Sequence, residues 1–151
     1  MDVGVLGVGA MGRNHVRVYS ELKGVDTVYV YDPLPENAGK AGEYASICAS
    51  LEELLERVEA VSICVPTRYH FETAKKVIQA GINCLIEKPI TLTAEEGSRL
   101  LDIIENSNLV VGVGHIERFN PIVSEMAKIA KRPADVSIKR HNPTSSRITD
   151  A

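Results

Sequence analysis

Val3-Gly4-Val5-Leu6-Gly7-Val8-Gly9-Ala10-Met11-Gly12 decides how the rest of the chain is read. Four apolar, strand-forming residues run straight into a GxGxxG sequence, and a helix-like stretch follows. In such a turn the first glycine permits the tight strand-to-helix reversal, the second lets backbone approach a pyrophosphate, and the third allows close packing of helix on strand. The helix start then offers unpaired N–H groups and roughly half a positive charge to an anion. Asp32 stands twenty residues beyond Gly12, at the end of the next strand-like run, where a carboxylate accepts hydrogen bonds from ribose hydroxyls. A GxGxxG alone is a weak signal; with strand, helix and spaced acid it reads as a dinucleotide site. Gly7, Gly9, Ala10, Met11, Gly12 and Asp32 are therefore the first cofactor-binding candidates. The carboxylate would repel a 2′-phosphate, and Pro33 and Leu34 follow it without a compensating cation, which favours NAD. Arg13, at the helix start, leaves NADP open.

Outward from this turn, strand and helix periods alternate along almost the whole chain, as in a parallel sheet covered by helices on both faces. Strands are predicted over 3–6, 27–31, 46–48, 60–65, 84–86 and 109–113. The expected fold is a doubly wound α/β Rossmann sheet of order 3-2-1-4-5-6. A helix over 11–22 should bury Val18, Tyr19 and Leu22 and end at Gly24. A polar helix is expected over 36–44. Ser50 with Glu53, and Thr93 with Glu96, form capping boxes for two further helices, the second turning Leu100, Leu101 and Ile104 inward. Helices over 71–80 and 121–130 complete the pattern. Another strand, over 135–140, is surplus to the six of the sheet, so we divide the chain into a cofactor-binding domain, 1–133, and the start of a second domain, 134–151.

Composition narrows the function classes. The 151 residues carry a net charge of −3, so no general attraction to nucleic acid or anionic membrane is expected. Lys128, Lys131, Arg132, Lys139 and Arg140 lack the aromatic interleaving of a single-strand platform. No apolar run is long enough to span a bilayer, and no leader pattern opens the chain, which makes a cytoplasmic location the default. Cys48, Cys64 and Cys84 are odd in number and lack CxxC spacing, favouring reduced core thiols over disulfides or metal ligands.

Ligands of open α/β sheets lie outside the carboxyl ends of the strands. The loops there are chemically unusual: Pro66-Thr67-Arg68-Tyr69-His70 after the fourth strand, Glu87-Lys88-Pro89 after the fifth, and Gly114-His115-Ile116-Glu117-Arg118-Phe119-Asn120-Pro121 after the sixth. Singly, each has a structural explanation; together at one edge they suggest a site.

With GVGAMG, the acid after the second strand, P-x-x-x-H, EKP and R-F-N-P in that order, the chain resembles the N-terminal half of the Gfo/Idh/MocA oxidoreductases. The resemblance implies an NAD(P)-dependent dehydrogenase acting on a secondary hydroxyl of a sugar or nucleotide sugar, most like the UDP-N-acetylglucosamine 3-dehydrogenase branch, with inositol or free-sugar dehydrogenases as the alternative. It implies that Lys88 contacts the reacting hydroxyl, with Glu87 orienting it. An ammonium there would stabilise a developing alkoxide, and partial desolvation would suit it to proton transfer. Pro66, Thr67, His70, Glu87 and Lys88 would lie along the cofactor, and His115, Arg118 and Asn120 would shape the substrate pocket. No metal is implied. Family members continue beyond a segment like Arg147-Ile148-Thr149-Asp150 into a D-x-x-x-H helix and a large substrate-binding sheet. On that reading the chain is a fragment, inactive alone, whose missing domain is a partner and whose full-length form is a homo-oligomer. A non-catalytic nucleotide-binding module is the reading from a different class.

Overall fold

The computed structural model describes residues 1–131 together with 135, 137 and 139. They fall into two compact units, Met1–Gly114 and a second beginning at His115. The expected division at 133/134, the larger part of the surplus strand over 135–140, and all of 141–151 lie outside the described residues.

The first unit is a six-stranded sheet, ordered β3-β2-β1-β4-β5-β6, with every pairing parallel. Its strands are β1 (Val3–Leu6), β2 (Val28–Tyr31), β3 (Ser46–Ile47), β4 (Ala60–Ile63), β5 (Asn83–Ile86) and β6 (Val111–Val113). The first four helices are α1 (Ala10–Glu21), α2 (Pro35–Ala38), α3 (Leu51–Leu55) and α4 (His70–Gln79), and α5 (Ala94–Glu105) precedes β6. A parallel sheet must be covered on both faces, and two apolar clusters do so. Val3, Val5, Val8, Val16, Val28 and Val30 form one, against α1. Leu6, Leu54, Ile63, Phe71, Val77, Ile86 and Leu100 belong to the other, which includes side chains of α3, α4 and α5.

The capping residues start their helices as the sequence indicates. The Ser50 hydroxyl accepts the Glu53 N–H at 3.0 Å, and Thr93 accepts the Glu96 N–H at 3.2 Å. The reciprocal carboxylates reach one residue further back than expected, to the Ala49 N–H and the Leu92 N–H.

Three local expectations are corrected. On α1 the buried side is Gly12 and Val16 with Tyr19 packed beside them, whereas Val18 and Leu22 are 43% and 49% exposed. Gly12 is pressed onto the Gly7 carbonyl, and at 3.6 residues per turn that contact carries His15, Val16 and Tyr19 to the inner side. On α5, Leu100 is buried with Ile103 and Ile104 beside it, and Leu101 turns outward by the same periodicity. The single helix expected over 36–44 is instead the short α2 followed by a 3₁₀ segment, Gly39–Tyr44, broken at Gly42 with φ +65°. Only Ala38 and Ala41 are buried there, too little apolar stripe to hold a regular helix.

Candidate functional site

Strand register assembles the site. Leu6 pairs with both Tyr31 and Ile63, Ile63 with Ile86, and Ile86 with Val113. The next residues along, Gly7, Asp32, Cys64, Glu87 and Gly114, therefore form one row across the carboxyl edge. The ladder continues into this row, with the N–H groups of Gly7, Cys64, Glu87 and Gly114 donating to Tyr31, Leu6, Ile63 and Ile86.

The three motif glycines do separate jobs. Gly7 has φ +84°, and a Cβ there would lie 2.9 Å from the backbone of Cys64 and Val65. At Gly12 a Cβ would overlap the Gly7 carbonyl oxygen. At Gly9 it would meet nothing within 4 Å, so the bare backbone faces open space. Gly9 is also the N-cap of α1, with no side-chain cap and no acid in the first turn. Ala10 is exposed and Met11 half-buried beside it. An uncapped twelve-residue helix with open backbone at its start fits the pyrophosphate of a dinucleotide. Arg13 is exposed, its Nε leaning back 3.4 Å to the Gly9 carbonyl.

Asp32 stands at the end of β2 and holds the loop. One carboxylate oxygen accepts the Val8 N–H at 2.7 Å and the other the Leu34 N–H at 2.9 Å. It lines a cleft of about 260 Å³ with Tyr31, Pro33, Pro35, Ala38, Ile47, Cys48 and Ala49. These walls are largely apolar, carry one fixed anion and include no cation, a setting that fits an adenosine with free ribose hydroxyls. Sequence reasoning had placed Asp32 but not the walls from β3; the strand order, which sets β3 beside β2, is the signal that finds them.

At the other half of the row, Glu87 is only 7% exposed. Its Oε1 lies 3.1 Å from His15 Nε2, and its Oε2 accepts the Lys88 backbone N–H at 3.2 Å. On the far side of the ring, His15 Nδ1 is 3.0 Å from Ser62 Oγ, which sits 2.6 Å from the Tyr19 hydroxyl. A Cβ at Gly114 would come within 2.9 Å of Glu87 Oε1, so this glycine makes room for the carboxylate. His15, Ser62 and Tyr19 were missed as site residues, and Gly114 was read only as the first residue of the loop after the sixth strand. A glutamate placed between a buried strand and a lysine needs a donor, and a histidine three residues after the third glycine was available to supply one.

Lys88 is exposed, without the desolvation expected of it, and its ammonium has no partner among the described residues. The Lys88–Pro89 bond is cis. His70 is buried at 1%, with Nδ1 2.8 Å from the Pro89 carbonyl and Nε2 2.8 Å from that of Val65. Its two ring nitrogens face carbonyls of the loop after β4 and of the loop after β5, and the single N–H of a neutral imidazole donates to one of them at a time. Pro66 is exposed and Thr67 half-buried at the start of the 3₁₀ turn after β4. Burial, with the Glu87 charge adding to it, pushes the Cys64 thiol up to about 12, and burial takes Cys84 to about 11. Neither is a ready nucleophile.

His115, Arg118 and Asn120 belong to the second unit. There a 3₁₀ turn, Ile116–Phe119, leads into α6 (Pro121–Ile129). His115 and Arg118 are exposed. The Asn120 carboxamide is committed locally: its oxygen caps α6 by accepting the Ile122 N–H at 3.0 Å, and its nitrogen donates to Glu117 at 2.9 Å. Among the described residues, no helix is long and apolar enough to cross a membrane.

Known proteins resemble this chain in sequence and fold. UDP-N-acetylglucosamine 3-dehydrogenase of Acidithiobacillus ferrooxidans is 40% identical over 128 residues, which is 82% of this chain and 39% of that protein. Its crystal structure superposes with a TM-score of 0.78 over 86% of this chain and 43% of its own, at 38% identity. An inositol 2-dehydrogenase of Corynebacterium glutamicum is 29% identical over 87% of this chain and 41% of its own length. The chain thus spans about two fifths of these relatives. The family model of the oxidoreductase family with an NAD-binding Rossmann fold matches residues 1–115. With the sheet order, the three glycine roles and this match in agreement, the chain belongs to the Gfo/Idh/MocA oxidoreductase family and carries its NAD-binding Rossmann domain.

Proposed function

We propose that this chain binds NAD along the carboxyl edge of its sheet and serves oxidation of a secondary hydroxyl on a sugar or nucleotide sugar. A UDP-N-acetylglucosamine-like substrate is the leading class. The observation that carries the reading is the division of the edge: an open, uncapped helix start beside a largely apolar cleft holding the Asp32 carboxylate on one side, and on the other an exposed lysine whose ammonium has no partner among the described residues. Pyrophosphate would rest on the N–H groups of Ala10, Met11 and Gly12, and the ribose hydroxyls would donate to Asp32. The cleft residues hold no cation to neutralise a 2′-phosphate, which supports NAD over NADP. When bound, the nicotinamide ring supplies the hydride acceptor. Lys88 Nζ would hydrogen-bond the substrate hydroxyl oxygen and stabilise negative charge there, with Glu87 fixing the backbone from which the lysine emerges. In the second unit, His115 and Arg118 present exposed side chains that would be candidate substrate contacts of that unit. The relatives named inositol 2-dehydrogenase support an inositol or free sugar as the second reading. With its three cysteines free, we place the protein in the cytoplasm.

Calorimetric titration with NAD and NADP tests the cofactor, and turnover of UDP-N-acetylglucosamine, inositol and free sugars tests the reaction. NAD binding with a weaker NADP response supports the reading. An NADP preference overturns the argument from Asp32, and binding of neither overturns the site. NAD binding without turnover by these 151 residues is the expected result, because the relatives extend well beyond the matched region; turnover by this chain alone would refute the assignment of catalytic groups.

A further inference from the structure

A carboxylate as buried as Glu87 is retained only where donors satisfy it. Among the described residues two donors are present, one from its own neighbour Lys88 and one from His15 on α1. The hydrogen bonds behind His15 run in one consistent direction. Burial raises the Tyr19 hydroxyl above its ordinary pKa and keeps it a donor. It can give its proton to Ser62 Oγ, Ser62 can give its own to His15 Nδ1, and Nε2–H is then left to point at Glu87 Oε1. Ser62 is fully buried in β4, so the ring is fixed from behind by the centre of the sheet. The helix that begins at the glycine loop is in this way connected through one imidazole to the residue beside Lys88.

We propose that His15 is a positioning residue for Lys88: by donating Nε2–H to one oxygen of Glu87 it orients the carboxylate whose other oxygen holds the Lys88 backbone N–H. Ser62 and Tyr19 select the tautomer that makes this donation available. The inference deepens the reading of Lys88 as the substrate-contacting lysine and rests on it for its functional meaning. The linkage itself is tested without cofactor or substrate.

The test uses amide hydrogen exchange by NMR on the present chain, comparing His15→Gln with His15→Asn. A glutamine places its amide donor near the Nε2 position and keeps the Glu87 contact. An asparagine reaches only the Nδ1 position and keeps the Ser62 contact. Losing a hydrogen bond to a charged group should speed Lys88 amide exchange about tenfold or more in His15→Asn. His15→Gln should stay close to the parent, and the amides of β1 should be unchanged in both. Equal behaviour of Lys88 in the two variants would overturn the proposal, because generic loss of the imidazole does not distinguish them. Should either variant lose β1 protection, the nitrogen resonances of His15 in the unmodified chain decide the matter. A ring protonated at Nε2 supports the proposal, and one protonated only at Nδ1 overturns it. Both measurements stand even if NAD fails to bind, so the failure of that reading is separable from the failure of this one.

Discussion

Replacing two glycines of one motif by alanine should produce opposite phenotypes. At Gly12 the added methyl would overlap the Gly7 carbonyl oxygen and approach its carbon to 2.9 Å. The obstacle is backbone, and Gly7 is itself tied into the sheet by its N–H to the Tyr31 carbonyl at 2.9 Å. Relief therefore requires α1 to lift from the sheet, disturbing the packing of Val16 and Tyr19. Overpacking of this kind costs about 1–3 kcal/mol and more where backbone must move, against a helix-propensity gain near 1 kcal/mol for glycine to alanine. Sterics win, and we expect a net loss of about 2 kcal/mol. At Gly9 the same methyl meets nothing within 4 Å, and φ −69° suits any residue. Reduced freedom in the unfolded chain favours alanine there by about 0.4–1 kcal/mol, while alanine's weakness as an N-cap works the other way by a similar amount. Stability should thus hold within about 0.5 kcal/mol. The methyl would, however, stand where the pyrophosphate must approach, and a weakening of NAD binding by tenfold or more, about 1.4 kcal/mol, is expected. Urea denaturation reads the first effect and calorimetry the second. A Gly9→Ala protein that binds NAD like the parent, or a Gly12→Ala protein with an unchanged denaturation midpoint, would refute the division of roles.

Other consequences can be checked separately. Asp32→Asn should weaken NAD binding and narrow the gap between NAD and NADP affinities, since the carboxamide removes the charge and cannot accept from both the Val8 and Leu34 N–H groups; an unchanged affinity ratio in calorimetry would count against the carboxylate as discriminator. Leu100→Ala, at a fully buried position, should cost about 2–5 kcal/mol, while Leu101→Ala should stay within about 0.5 kcal/mol, as measured by denaturant midpoints. Lys88→Ala should likewise leave the fold within about 0.5 kcal/mol, because the side chain is exposed. The Cys64 and Cys84 thiols bind their protons more tightly folded than unfolded, so their contribution is fully present below the ordinary thiol range and is lost as pH rises towards about 11 to 12. Native-state alkylation at pH 8, followed by mass spectrometry, should leave both unmodified.

What the sequence disclosed, it disclosed through local rules. Glycine spacing, capping pairs and alternating periods are short-range, and they yielded the six strands, the strand order and the Asp32 position. Where local patterning leaves a choice of helix face, it misled: Val18, Leu22 and Leu101 look as apolar as their neighbours, and only the Gly12 contact and the burial of Leu100 decide which side turns inward. The site divides in the same manner. Lys88, Glu87 and His70 were legible as unusual residues at strand ends, but their work depends on separations invisible in one dimension. Glu87 and His15 are 72 positions apart, and His70 and Pro89 are 19 apart. A histidine read as a cofactor neighbour also stands between the carbonyls of two loops, while one that drew no notice stands between the glycine helix and the glutamate. Buried charge gives a rule for finding such residues earlier. Once Glu87 was placed at the end of a two-sided buried sheet, electrostatics required a donor within hydrogen-bonding reach. The parallel order set β1 and the start of α1 within two strands of β5, and His15 is the side chain on that turn able to donate across the gap.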